Sequence, residues 1–276
     1  MAARAAGVDL VARNYYSPIP AWEDVPAHLF ERRDSLRGIR FDLDGYLGYL
    51  EQLAPLMAEF EPPGGFTWDN GMYDAIDADV LYATVRDLRP ARLIELGSGF
   101  SSLIIAAAVR RNLSDGYVTD YTVYDPFARD FIRQGVEGLE YHSLAAVDVP
   151  ASVFDSLRSG DLLFIDTTHT VKLGSEVNRI ILDVLPGLST GVSVHIHDVF
   201  LPYEYPKWFF ENRLYWAEQY LLQAFLTQNQ VWEITLPLFA LTKECPKEVA
   251  RLVPSFRATA MPGAFWMRSA RDPSVV

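Results

Sequence analysis

Cysteine is nearly missing from this chain. Cys245 is the only one in 276 residues, so no disulfide can close within the chain and no thiolate zinc cluster can be built. Basic clusters are missing as well. The 36 acids outnumber 24 Lys plus Arg for a formal net charge of −12, with no basic stripe, which argues against a nucleic-acid partner. Long apolar runs are absent too. The strongest, "LIIAAAV" at 103–109, is far too short to span a bilayer, so no membrane partner is expected. At the N-terminus, Asp9 and Arg13 interrupt "MAARAAGVDLVARN", which disfavours a secretory signal. A cytoplasmic location is the expectation. No internal repeat or low-complexity segment occurs. What is abundant is hydrophobic residue, half of the chain, enough for a large core and one or two domains.

Residues 1–65 differ in texture from the rest. "WEDVPAHLFERRDSLR" and "FDLDGYLGYLEQLAPLMAEF" each read as an amphipathic helix, with Tyr46, Leu47, Leu50, Met57 and Phe60 near one face of the second. "EPPGG" at 61–65 closes the segment. The region is expected to be a helical cap or an arm through which the chain forms a homo-oligomer. From residue 66 to 276 strands alternate with helices: "ARLIEL", "YVTDYTVYD", "LEYHSL", "DLLFID" and "GVSVHIHD", separated by helical stretches, among them 74–88 and 173–185. Such alternation indicates a parallel sheet covered on both faces. After a helix around 212–227, "VWEITL" and "GAFWMRS" lack an obvious full-length crossover helix and are expected to pair antiparallel at one edge.

"LIELGSGFSS" ends a strand on Glu95, turns through Gly97, Ser98 and Gly99, and enters a helix. Glycines there allow a sharp turn and close approach to a ligand, while the helix N-terminus offers free N–H donors. The second strand ends on Asp125, an acid placed to accept hydrogen bonds from ribose hydroxyls. A dinucleotide fingerprint wants glycine at 102, where Ser102 stands. That departure disfavours the rival reading, a nicotinamide-dependent oxidoreductase.

On these residues the chain resembles the class I S-adenosylmethionine-dependent methyltransferases. Glu95, Gly97 and Gly99 match their first motif, with Ser101 in place of the last glycine, and the antiparallel tail matches their seventh strand. The resemblance covers roughly residues 70–276. It implies an α/β fold: a Rossmann-like, doubly wound, mostly parallel seven-stranded sheet with an antiparallel last strand, plus the N-terminal helical arm. It also implies that Glu95 and the 97–102 turn (Ser98, Ser101 and Ser102 included) hold the methionine part of the cofactor and that Asp125 holds its ribose. Asp148 would lie near the adenine, and Tyr73 would close over the cofactor.

In a parallel sheet, ligands bind beyond the carboxyl ends of the strands. Asp166 ends the fourth strand in "DLLFIDTTHT" and Asp198 follows the fifth in "VHIHDVF", so both are expected to face one crevice, unless they merely cap helices. "IDTTH" and "HIHD" resemble a subgroup containing sugar and macrolide O-methyltransferases. That resemblance implies magnesium or another divalent ion on Asp166 and Asp198, with His169 as general base and Asp166 beside it. His197 stands where the subgroup has an acid, which tilts the set towards a metal tolerating nitrogen. The aromatics of "PYEYPKWFFENRLYW" are candidates for a substrate wall. The implied activity is methyl transfer to a hydroxyl oxygen of a small molecule, a secondary metabolite or sugar. A cofactor-binding protein without catalysis is the remaining alternative.

Overall fold

The computed structural model describes residues 14–270. Seven strands form one sheet: β1 (Arg92–Leu96), β2 (Asp120–Tyr124), β3 (Glu140–His142), β4 (Leu162–Ile165), β5 (Ser193–Ile196), β6 (Trp232–Pro237) and β7 (Phe265–Ser269). Their order is β3-β2-β1-β4-β5-β7-β6, with β7 antiparallel to both neighbours. This is the expected doubly wound, mostly parallel sheet. Every residue of β4 and β5 is buried, as strands covered on both faces must be. The expected edge pairing of the two late strands is found, but β7 returns inside β6. Two short helices unforeseen in the sequence, Leu238–Glu244 and Pro246–Leu252, join them.

Helices α1 (Leu43–Met57), α2 (Asp77–Leu88) and α3 (Phe100–Ser114) pack side by side. Asp42 caps α1 by accepting from Gly45 N, and Tyr46, Leu50, Leu53 and Met57 make its buried stripe. That stripe belongs to the same core as Leu81, Ile94, Phe164 and Val194, so α1 is continuous with the sheet domain. The helix expected over "WEDVPAHLFERRDSLR" is not there. Only 3-10 turns form, at Trp22–Asp24 and Ala27–Glu31, because Pro26 lacks the N–H a longer helix would need. This stretch instead lies on the loop after β5: Arg33 bridges Tyr203, Asp34 N donates to Pro202 O, and Trp22 packs edge-on against Phe210. Residues 1–13, where a targeting signal was considered, lie outside the described residues.

The helix after β4 begins at Glu176, passes through a π turn at Ile180–Val184 and ends at Gly187. The helix foreseen over 212–227 is shorter, Glu218–Leu226 (α4 below). Its first N–H, that of Glu218, and that of Ala217 donate to the carbonyl of His169, which fixes where it starts. Among the described residues no helix is long and apolar enough to cross a membrane.

Candidate active site

The tips of the central strands are level. Leu96 pairs with Tyr124 and Ile165, and Ile165 with Ile196. The next residue of each strand carries the chemistry: Gly97, Asp125, Asp166 and His197. One further ladder bond holds each of them: Gly97 N to Tyr124 O, Asp125 N to His142 O, Asp166 N to Leu96 O, and His197 N to Ile165 O. The strand order reverses between β1 and β4, where an open parallel sheet forms its ligand crevice.

The two glycines of the turn do different jobs. Gly97 has φ +82°, and a Cβ there would lie 1.7 Å from the carbonyl oxygen of Asp166. It is glycine because the protein's own backbone touches it. A Cβ on Gly99 would meet nothing within 4 Å, so Gly99 borders the open space a cofactor needs. Three expected cofactor contacts require correction. Glu95, Ser101 and Ser102 are buried beneath the turn, bonded to one another. Ser101 and Ser102 hydroxyls donate to Glu95 Oε1 at 2.9 and 3.0 Å, and the Tyr121 hydroxyl donates to Oε2. Ser102 Oγ also accepts from Gly99 N. Burial pushes the Glu95 carboxyl up to about 8. The side chains of Glu95, Ser101 and Ser102 thus brace the turn from beneath.

Asp125 faces the turn. Its Oδ2 accepts from Ser98 N at 3.0 Å and Ser98 Oγ at 2.6 Å, and its Oδ1 accepts from Phe127 N at 2.7 Å. Asp148 is exposed on the turn after β3. Tyr73 is buried, stacked on His197 at 4.6 Å, and its hydroxyl has no hydrogen-bond partner. An orphaned buried hydroxyl and an open glycine flank fit a polar cofactor at this turn, with Ser98, Gly99 and Asp125 as the groups that would hold it.

Beside the turn lies a cluster of acids and imidazoles. Neither Asp166 nor Asp198 caps a helix: the helix after β4 is capped by Ser175, and no helix follows Asp198 before Lys207. Their side chains are 32% and 23% exposed and open to solvent, whereas His169 is buried behind them at 4%. His169 Nε2 lies 3.3 Å from Asp166 Oδ1 and 3.7 Å from Asp198 Oδ2, and Nδ1 lies 2.8 Å from Glu218 Oε2. Burial alone would push His169 down. Hydrogen bonds to Asp166 and Glu218, with the charges of Glu218 and Asp198, outweigh it and hold the imidazole well above its usual range. Burial would raise Asp166, but its bond to His169 and the nearby His197 leave it lowered. His169 thus sets both ring nitrogens near carboxylates, an arrangement that favours the protonated ring. The expected general base is buried and paired with acids rather than open to the crevice.

The expected metal set is not assembled. Among the described residues no group of three or more His, Cys, Asp or Glu is arranged to hold an ion. His169 Nε2 sits between Asp166 and Asp198. The ring of His197 is stacked under Tyr73, its Nδ1 is buried without a partner, and the charges of Asp198, Asp166 and Asp77 outweigh burial to hold it raised.

Two acids of the cluster escaped the sequence reading. Glu218 opens α4 and is 1% exposed; in "YWAEQYLL" it passes for an ordinary first-turn acid. Asp77, at the start of α2, accepts from Gly263 N and Ala264 N, and burial pushes it up to about 6. A buried acid before "ADVLYATV" looks the same in sequence as an exposed one. Within the aromatic segment Trp216 lies 4.3 Å from His169 and Phe209 4.8 Å from Trp216, and Tyr205 and Phe209 form a separate small core with Phe200 and Phe239, against which Trp216 packs. A cavity of about 760 Å³ lies elsewhere, at the edge of the sheet, lined by Tyr46, Ser193 and Arg268 among others.

Residues 94–199, spanning β1 to the start of the loop after β5, match the family described as Methyltransferase domain. An uncharacterised protein of Archaeoglobus fulgidus is 27% identical over 167 residues, 56% of this chain and 71% of that protein. Among solved structures, a presumed methyltransferase from Thermobifida fusca aligns over 91% of this chain and 100% of its own, at 13% identity and TM-score 0.44. Human N-acetylserotonin methyltransferase in complex with S-adenosylmethionine aligns over 83% and 57%, at 14% identity and TM-score 0.33. TM-scores this low decide nothing by themselves. The family match covers the strands that carry the turn and the acids, and β7 sits antiparallel between β5 and β6. Across that stretch the chain is similar to a methyltransferase domain, carried on the seven-stranded sheet described above.

Proposed function

We propose that the protein transfers the methyl group of S-adenosylmethionine to a hydroxyl oxygen of a small molecule at the opening beside Asp166 and Asp198. One observation carries this reading. The acid cluster and the cofactor turn meet backbone to backbone, at the contact of Gly97 with the carbonyl of Asp166. A methyl acceptor held by Asp166 is thereby held at the cofactor turn.

The bound cofactor supplies an electrophilic methyl on a sulfonium. As the acceptor oxygen forms its bond to that carbon, it becomes positively charged and its proton strongly acidic. A carboxylate then suffices as the proton acceptor. Asp166 is the group assigned that role, because its side chain reaches solvent and its backbone carbonyl abuts the turn at Gly97. His169, buried behind it, is assigned a positioning role: its Nε2–H fixes the carboxylate. Ser98, Gly99 and Asp125 hold the cofactor, and Trp216 lines the acceptor side. Neutral hydroxyl acceptors suit an opening flanked by the carboxylates of Asp166 and Asp198.

Calorimetry with S-adenosylmethionine and with NAD tests the cofactor. Transfer of a labelled methyl to a panel of hydroxylated, amino and carbon acceptors then tests the chemistry. The expected result is binding of S-adenosylmethionine alone and label on hydroxyl compounds. Asp166→Asn should keep cofactor affinity and lower turnover by about 100-fold or more, the range of a proton acceptor. Label found only on nitrogen or carbon would overturn the hydroxyl reading.

A further inference from the structure

Between the two acids that should share a metal ion, the chain has placed its own imidazole. Magnesium sits about 2.0–2.1 Å from its oxygen ligands, and His169 Nε2 lies 3.3 and 3.7 Å from one oxygen of each acid, so an ion shared by those two oxygens would have this ring nitrogen as a close neighbour. The ring is not there by chance rotation. His169 adopts φ +55°, a left-handed conformation that a histidine holds only when its surroundings impose it. Three contacts do so. Its carbonyl accepts the N–H groups of Ala217 and Glu218, its Nδ1 bonds Glu218 Oε2 at 2.8 Å, and Trp216 packs against the ring. Asp198, also at positive φ (+54°), is pressed against Gly263, where a Cβ would come within 2.9 Å of its Oδ1. Both ends of the clamp are thus fixed by backbone.

We propose that the imidazolium of His169, anchored by Glu218, is the cation that ties Asp166 to Asp198, so that this methyltransferase site works without a divalent ion. The inference rests on the methyl-transfer reading above and deepens it. The chemistry is consistent: methyl transfer from a sulfonium to a neutral hydroxyl moves positive charge towards the acceptor oxygen, which anionic carboxylates stabilise directly. Two acids facing one ring nitrogen need a counter-charge, and a buried imidazolium with Nδ1 bonded to Glu218 Oε2 and Nε2 lying 3.3 and 3.7 Å from those acids supplies it. Glu218 acts through His169 and touches no substrate, which makes it a positioning residue.

The test is a Mn²⁺ titration of the full chain, read by the electron paramagnetic resonance of the free ion, with S-adenosylmethionine calorimetry in the same buffer. The wild type should show no saturable Mn²⁺ uptake, and its unfolding midpoint and methyl transfer should not change in excess chelator. His169→Ala, or His169→Gln if the alanine variant does not fold, should gain one Mn²⁺ site and lose it again when Asp198→Asn is added. Saturable uptake by the wild type that Asp166→Asn abolishes would overturn the proposal. So would a folded His169 variant that takes up no ion. Should neither variant fold, the wild-type titration and chelation decide alone. Failure of the wild type to bind S-adenosylmethionine would defeat the methyl-transfer reading instead, and the Mn²⁺ result would still say what occupies the gap.

Discussion

Gly97→Ala and Gly99→Ala are the same chemical change two residues apart, and the geometry of the turn sends them in opposite directions. At Gly97 the new methyl would sit 1.7 Å from the Asp166 carbonyl oxygen and 2.8 Å from its carbon. Heavy atoms settle at about 3.5 Å, so the tips of β1 and β4 must part by nearly the width of an atom. That breaks the bonds from Asp166 N to Leu96 O and from Gly97 N to Tyr124 O, both 2.9 Å. Each bond contributes about 1 kcal/mol, and a left-handed alanine costs roughly 1–2 kcal/mol more, for a total of about 3–4 kcal/mol. Against a whole-domain stability of about 5–15 kcal/mol, that is severe. At Gly99 the φ is 177°, extended backbone open to any residue, and the methyl meets nothing. Losing glycine at a helix N-cap costs a few tenths to about 1 kcal/mol, and restricting the unfolded chain returns about as much. Gly99→Ala should therefore unfold like the wild type in urea, followed by circular dichroism, yet lose S-adenosylmethionine affinity by about tenfold or more, because the methyl enters the open flank of the turn. Equal urea midpoints for Gly97→Ala and the wild type would refute the packing argument. A destabilised Gly99→Ala with normal cofactor binding would refute the assignment of the open space.

Glu95→Gln should keep the bonds to Ser101, Ser102 and Tyr121 while removing a titration. With a folded value near 8 against 4.5 for a free carboxyl, the folded state holds the proton more tightly, so wild-type stability should fall as pH rises from 4.5 to 8. The variant should lack that decline in urea melts run across the range; an unchanged slope would place the proton elsewhere. Deleting residues 1–60 removes Tyr46, Leu50, Leu53 and Met57 from the core. At roughly 1.5–3 kcal/mol for each buried side chain, about 6–12 kcal/mol in all, the truncated chain should not fold. A cooperative melt for it would show α1 to be detachable.

The sheet was legible because its signals are redundant. β1, β4 and β5 each show an apolar run, a turn residue and a following helix, and missing one of the three would not have changed the fold. The strand-tip residues Gly97, Asp125, Asp166 and Asp198 could be placed for the same reason, since the end of a strand is the one position where an acid or glycine after an apolar run has a fixed address. The N-terminal stretch was misread as helix because Pro26 falls where periodicity alone looks favourable. The turn residues were misassigned for a subtler reason. "ELGSGFSS" specifies that Glu95, Ser101 and Ser102 lie near the turn, but whether their polar atoms face the crevice or one another depends on Tyr121, which reaches them from the neighbouring strand.

The role of His169 turns on partners that sequence distance hides. Seen from "IDTTH" alone, an imidazole three residues past an acid is a base waiting for a substrate. Glu218 lies 49 residues away, and its contact with Nδ1 changes the imidazole from an acceptor into a donor. The effect follows from electrostatics: a neutral histidine with its lone pair aimed at two carboxylates would be repelled, while a protonated one is attracted on both sides. The raised imidazole and the lowered Asp166 are two views of that one proton. Exposure then assigns the remaining roles, because the acids reach the opening and the histidine does not. A carboxylate that meets the acceptor, backed by an imidazolium that holds it, is the arrangement these burial values and distances support, and Glu218 is the residue on which it hinges.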